Sequence, residues 1–232
     1  MRVIRVLLVV GLVLAGLFTA ADRLAVGYAE DELAAKVRAG GGSSIGSTEV
    51  DIAGFPFLTQ VMDRRLERVD VRLDDVTVAA DGRRMRIARL DAALHDVAVD
   101  DDYSGGTARR ADGSALVTYE DLTRASQSGV TVAYGGAPGK VKVTASIEIL
   151  GRTLTRSVIS TVTLVDGGTV RVRADEVPGE GIPGVEDLVR RKTDFDRKLG
   201  GGLPAGLALS GLTSDASGVR LTLGGSDVAL GG

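Results

Sequence analysis

With 232 residues, 44% of them hydrophobic, the chain suffices for one domain with a sizeable core, and 3% aromatic content leaves Val, Leu, Ile and Ala to build it. It has no cysteine, which excludes a disulfide framework, a thiol nucleophile and Cys-ligated zinc. A net charge of -3, with 23 Arg against five Lys, argues against nucleic acid as a partner.

The chain opens MRVIRVLLVVGLVLAGLFTAAD. Arg2 and Arg5 precede an apolar run of 16 residues, Val6 to Ala21. A basic start followed by an apolar stretch is an export signal whose positive end stays in the cytoplasm. Residues 1–22 are therefore a signal peptide or a membrane anchor, and Thr19-Ala20-Ala21 offers a small-residue cleavage site. Either way, residues 23–232 form a single domain on the outer face of the cytoplasmic membrane, in the periplasm or cell envelope.

Residues 22–39 continue as helix, which Gly40-Gly41-Gly42 ends. Alternation from Glu49 to Ile52 marks a strand, and residues 57–67 carry Leu58, Val61, Met62 and Leu66 at helical spacing. Strands follow around 69–73 and 84–90. The strings LDDVTV (73–78) and LHDVAV (94–99) share an apolar–polar–Asp–Val pattern, which fits a strand with a local bend at two equivalent sheet edges. Residues 100–115 read as a polar loop, and Thr118-x-x-Asp121 as a capping box opening a short helix. KVKVTASIEI (140–149), TLTRSVISTVTLV (153–165) and TVRVRADEV (169–177) form an antiparallel meander of long strands. Residues 185–199 read as an amphipathic helix with Leu188 and Phe195 on its apolar side, and two short strands close the chain at 219–223 and 227–230. The whole is α+β, a long, mainly antiparallel sheet with separated helices.

Catalytic motifs fare poorly. Gly42-x-Ser44-x-Gly46 fits a nucleophile elbow, but the helix precedes it and the strand follows, the reverse of the required order. Gly179-x-Gly181-x-x-Gly184 follows a meander and contains Pro183, with no βαβ unit around it. Asp100, Asp101 and Asp102 lack the spacing of a Ca²⁺ loop and read as solvated charge. The sole histidine, His95, reads as half-buried in a strand, and Arg84, Arg86 and Arg89 as a solvated face. No catalytic role, cofactor or metal is expected.

Half of the four Phe residues sit in one turn, IAGFPFLTQ (52–60). Pro56 fixes its own φ and biases Phe55 toward extended geometry, so the two rings are held in a defined arrangement. Two readings stand side by side. Phe55, Phe57 and Leu58 line the mouth of an apolar slot or dip into a membrane surface; alternatively the turn is core, with Phe57 stapling the next helix to the sheet.

The export segment, the string GFPFLTQ (54–60) and the alternating strands after it resemble the actinobacterial LmeA-like phospholipid-binding family. The resemblance implies a strongly curved sheet wrapped around amphipathic helix, in the manner of tubular lipid-binding domains. It also implies an exported protein that binds phospholipid, inositol phospholipids among them, and supports mannolipid maturation. The partners expected are phospholipid, the membrane surface and envelope glycosyltransferases. The lipid-lining residues on this reading are Phe55, Pro56, Phe57, Leu58, Val61, Met62, Leu188 and Phe195. The competing reading is an anchored scaffolding module that docks envelope enzymes and holds no lipid.

Overall fold

The computed structural model describes residues 2–40, 44–80, 83–126, 128–149, 152–166, 168–175, 194–198 and 203–230. The chain opens with one continuous helix, α1 (Arg2–Gly40), 39 residues long. At about 1.5 Å per residue it spans roughly 58 Å, well beyond a hydrocarbon core of about 30 Å. The export segment and the helix that follows it are one rod.

Two antiparallel sheets follow. Sheet A has six strands in the order β1 (Ser47–Ala53), β2 (Arg65–Ala80), β3 (Arg83–Val99), β4 (Gly106–Val117), β11 (Gly218–Leu230), β10 (Leu207–Asp215). Sheet B has five: β5 (Val130–Tyr134), β6 (Lys140–Ile149), β7 (Arg152–Val165), β8 (Thr169–Ala174) and β9 (Phe195–Lys198). Two short helices punctuate them, α2 (Phe57–Met62) and α3 (Tyr119–Ala125). Thr118 caps α3 through the Asp121 amide, as its capping box requires. The architecture is α+β with mainly antiparallel sheets, as the alternation predicts.

Four expectations need correction. Residues 106–115 belong to β4, a central strand paired on both sides, with β3 and with β11. Its inward residues are so small that their alternation resembles turn composition. Strands β2 and β3, which carry the Asp–Val echo, are neighbours inside sheet A and not its edges. Residues 195–198 are strand, paired with β8 so that Asp196 faces Arg171; residues 185–193 of the expected helix lie outside the described residues. The tail forms β10 and an unbroken β11 in place of two short strands.

The Asp–Val echo has a conformational cause. Asp75, Asp96 and Asp227 each adopt positive φ (58°, 49° and 50°) inside a strand, a conformation that Asp tolerates better than most residues. The kink shifts side-chain alternation by one. In β3, Leu90, Ala92 and Leu94 point inward, His95 and Asp96 both point out, and Val97 returns to the buried face. The same double-outward step occurs at Glu67/Arg68, Arg109/Arg110 and Ser226/Asp227, and the register lines the four up across β2, β3, β4 and β11. The result is a crease across the sheet, which bends the strands as a bulge does. Beyond it, Leu66, Val97, Ala108 and Val228 form one buried row.

Two apolar clusters result. The first gathers Val26 and Ala34 of α1 with Val50, Ile52, Phe57, Leu66, Val69, Val97, Ala108, Ala111 and Val228. The second joins sheet B (Val141, Val143, Val158, Val162, Val170, Val172, Ala174) to Val219. Val228 and Val219 lie on the same strand, roughly 30 Å apart along it at about 3.4 Å per residue, but the clusters approach each other more closely: Val50 and Val71 of the first sit one row of sheet A from Leu212 and Leu221, which pack against the second.

The outer face of sheet A carries charge. Arg72 meets Asp91 and Glu49, Arg89 meets Asp74, Arg110 meets Asp112, and His95 Nε2 lies 3.4 Å from Asp112. Such exposed pairs, screened by water, add little stability each, but together they commit this face to water. Hydrogen bonds from Arg89, Arg109 and Arg171 hold the carboxyls of Asp74, Asp96 and Asp196 below the usual range. A folded pKa below the unfolded value of about 3.9 stabilises the fold above that value. Thermal melts are therefore expected to change little down to about pH 4 and to fall below it, as these carboxylates protonate.

Candidate functional site

The turn at 54–60 is built onto α1. Gly54 takes φ of 104°, a conformation that favours glycine, and a Cβ there would lie 2.6 Å from Gln60 Nε2 and displace that side chain. Gln60 clamps the turn, donating from Nε2 to the Ala53 carbonyl (3.4 Å) and accepting from the Glu67 amide at Oε1 (2.8 Å). Phe55–Pro56 is a cis bond, and Pro56 is the N-cap residue of α2 without a side-chain bond of its own. The side chain that serves α2 comes from α1. Asp22, fully buried, accepts from the Leu58 amide at 2.9 Å through Oδ1. A carboxylate there satisfies an orphan N–H at the positive end of a helix. Glu30, two turns on, accepts from the Ile52 amide at 2.8 Å.

The two rings part company. Phe57 is 5% exposed and belongs to the α1 cluster, whereas Phe55 is 56% exposed, with the Arg23 guanidinium 5.3 Å from its ring centroid. Leu58 and Val61 are half-buried, and Val61 packs against the same cluster; Met62 is 83% exposed. Phe195 lies in β9, opposite Val172, and Leu188 lies outside the described residues. Around the turn, then, Phe57 lies in the closed core while Phe55 and Met62 face outward.

A different set of residues shares a face. The register places Val50, Val71, Ala92, Gly113, Leu223 and Leu209 in one row across sheet A. The next row inward from the crease runs Thr48, Leu73, Leu90, Ala115, Leu221, Leu212. On β4 every inward residue from 108 to 115 is Ala or Gly: Ala108 and Ala111 lie under the α1 cluster, Ala115 is buried, and Gly113 is half-buried between taller Leu and Val side chains. Leu73, Leu90, Ala92, Gly113 and Leu223 are half-buried and belong to neither apolar cluster. The Thr48 hydroxyl, at the β1 end of this band, is buried with no partner among the described residues. It is a polar atom at the rim of an otherwise hydrocarbon surface.

Two concavities among the described residues lie on the opposite face and are lined by charged side chains. One is lined by Arg65, Asp96, Thr107, Arg109 and Asp227 along the crease, the other by Glu49, Asp70, Arg72, Asp91 and Asp112 among others. Each mixes Arg with acids, so neither presents a single sign of charge. Among the described residues no group of three His, Asp or Glu side chains gathers as a metal site. Asp100–Asp102 form a turn in which Asp102 accepts from the Ser104 amide at 3.1 Å and Asp101 pairs with Arg64.

Sequence reading missed this band because its floor is Ala and Gly within a stretch that resembles a loop. The signal was the spacing Ala108, Ala111, Gly113, Ala115, legible once the kink at 109 is allowed. No curated protein and no solved structure matches the chain. A family model does, over residues 20–224: the chain belongs to the LmeA-like phospholipid-binding family.

Proposed function

We propose that the protein is a non-enzymatic, exported phospholipid carrier of the cell envelope that lays acyl chains along the inner face of sheet A, over the half-buried Leu73, Leu90, Ala92, Gly113 and Leu223. Residues 1–22 serve as its signal peptide or anchor, and residues 23–232 as one lipid-binding domain. The observation that carries this reading is a half-buried hydrocarbon band between two closed cores, in a chain of a lipid-binding family. Each methylene moved from water onto such a surface gains about 0.8 kcal/mol, so ten give roughly 8 kcal/mol before ordering costs. No specific polar contact is needed for holding, which suits a carrier that must also release. Inositol phospholipids as cargo, mannolipid maturation as the process served and envelope glycosyltransferases as partners are what the family resemblance implies.

Native mass spectrometry of the purified protein tests this reading. The expected result is a population carrying one phospholipid, released by collisional activation. A protein that stays empty after incubation with phospholipid vesicles, yet captures a membrane glycosyltransferase, supports the scaffolding reading instead.

A further inference from the structure

We infer that the end of sheet A where α1 arrives is a membrane-docking surface, with Phe55, Met62 and Tyr103 seated in the headgroup layer of the bilayer that the start of α1 enters. This rests on the reading of residues 1–22 as a membrane segment and goes beyond it, by fixing which surface of the folded part faces the lipid.

Outside α1, the large apolar side chains exposed among the described residues are Phe55, Met62, Tyr103 and Ile159. Three of these four lie at one end of the molecule. Phe55 and Met62 bracket α2, and the Val99 amide donates to the Arg64 carbonyl at 3.0 Å, setting the end of β3 beside the residues that follow α2. The Arg64–Asp101 ion pair draws the turn carrying Tyr103 to the same place. Tyr103 is 52% exposed there.

The occupant is indicated by what arrives at this end. Leu12, Leu14, Leu17 and Phe18 of α1 are exposed, and α1 is long and apolar enough to cross a membrane. Four residues after Phe18, about 6 Å along the helix, buried Asp22 fastens α1 to α2. An apolar rod that leaves the folded part at Asp22 therefore puts the exposed rings within about one helical turn of the hydrocarbon boundary. Arg23, stacked on Phe55, places a cation at phosphate level, and Leu24 is exposed beside it. Aromatic and long basic side chains prefer this interfacial layer. Of the acids nearby, Asp101 pairs with Arg64, whereas Asp63, Asp100 and Asp102 enter no ion pair among the described residues. Docking on this account is apolar and needs no anionic lipid.

The chain has no tryptophan, so single reporters can be read without background. The full chain carrying Phe55→Trp, Met62→Trp, Tyr103→Trp or Ile159→Trp is reconstituted into phosphatidylcholine vesicles containing brominated phosphatidylcholine. The expected result is a blue shift and loss of most emission at the first three sites, with Ile159→Trp, in sheet B, unquenched. Emission at all three tip sites that matches Ile159→Trp overturns the docking surface. Repeating the measurement with Ala92→Phe added keeps the two readings apart. Quenched tips without lipid uptake in the parent chain contradict only the carrier, whereas unquenched tips on a lipid-loaded protein contradict only the docking.

Discussion

Phe57→Ala is expected to lower the stability of the fold by roughly 3–5 kcal/mol, whereas Phe55→Ala, two residues away, should change it by less than about 0.5 kcal/mol. The contrast follows from burial. Phe57 is 5% exposed among Val26, Ile52, Leu66 and Val97, and removing its ring leaves a cavity between α1 and sheet A. Phe55 is 56% exposed with only Arg23 over its ring. Folded domains are stable by about 5–15 kcal/mol, so the first change removes a large share of the total. It leaves α1 held to the sheet by the Asp22–Leu58 and Glu30–Ile52 bonds and by Val26 and Ala34, so the loss is one of packing and not of attachment. Urea denaturation of the two variants reads this difference directly. Equal losses at both positions would mean that the turn is packed as a unit, contrary to the structure.

The second large effect separates the two faces of one strand. Ala92 and Ala93 are consecutive, so their side chains point to opposite sides of sheet A. Ala92 sits in the row with Val71, Gly113 and Leu223, and Ala93 stands between Asp70 and Asp112 on the charged face. Ala92→Phe should fill the floor of the band and abolish phospholipid uptake while leaving the chain folded, since Ala92 is half-buried and outside both apolar clusters. Ala93→Phe should leave uptake as it was. Lipid bound per protein, measured after vesicle incubation, checks the pair. Uptake lost in both variants, or in neither, contradicts the assignment of the band to acyl chains.

How much of this was legible beforehand depended on distance along the chain. Strands with strong alternation, such as Lys140–Ile149 and Arg152–Val165, read correctly because Val, Ile and Thr recur with period two. The bend in LDDVTV and LHDVAV was legible from repetition, and positive φ at Asp75 and Asp96 supplies its cause. A third instance at Asp227-Val228 went unread, because glycine takes the place of the leading leucine there. Strand β4 was hidden by composition: GTARRADGSA has the residues of a loop, and only pairing on both sides makes it a strand. The contact between Asp22 and Leu58 joins positions 36 residues apart, which no local pattern encodes. For the same reason, the fate of Phe55 and Phe57 could not be divided in advance. The cap from α1 anchors the start of α2, burying one ring and leaving the other in the open.

A phospholipid with a photoactivatable diazirine near its acyl terminus tests the central claim most directly, by adduct mapping after irradiation of the loaded protein. The account predicts adducts on peptides carrying Leu73, Leu90, Ala92, Gly113 and Leu223, the inward residues of β2, β3, β4 and β11. Adducts confined to the first 21 residues, or spread over the outer strand positions with Arg72, Asp91 and Asp112, would contradict it.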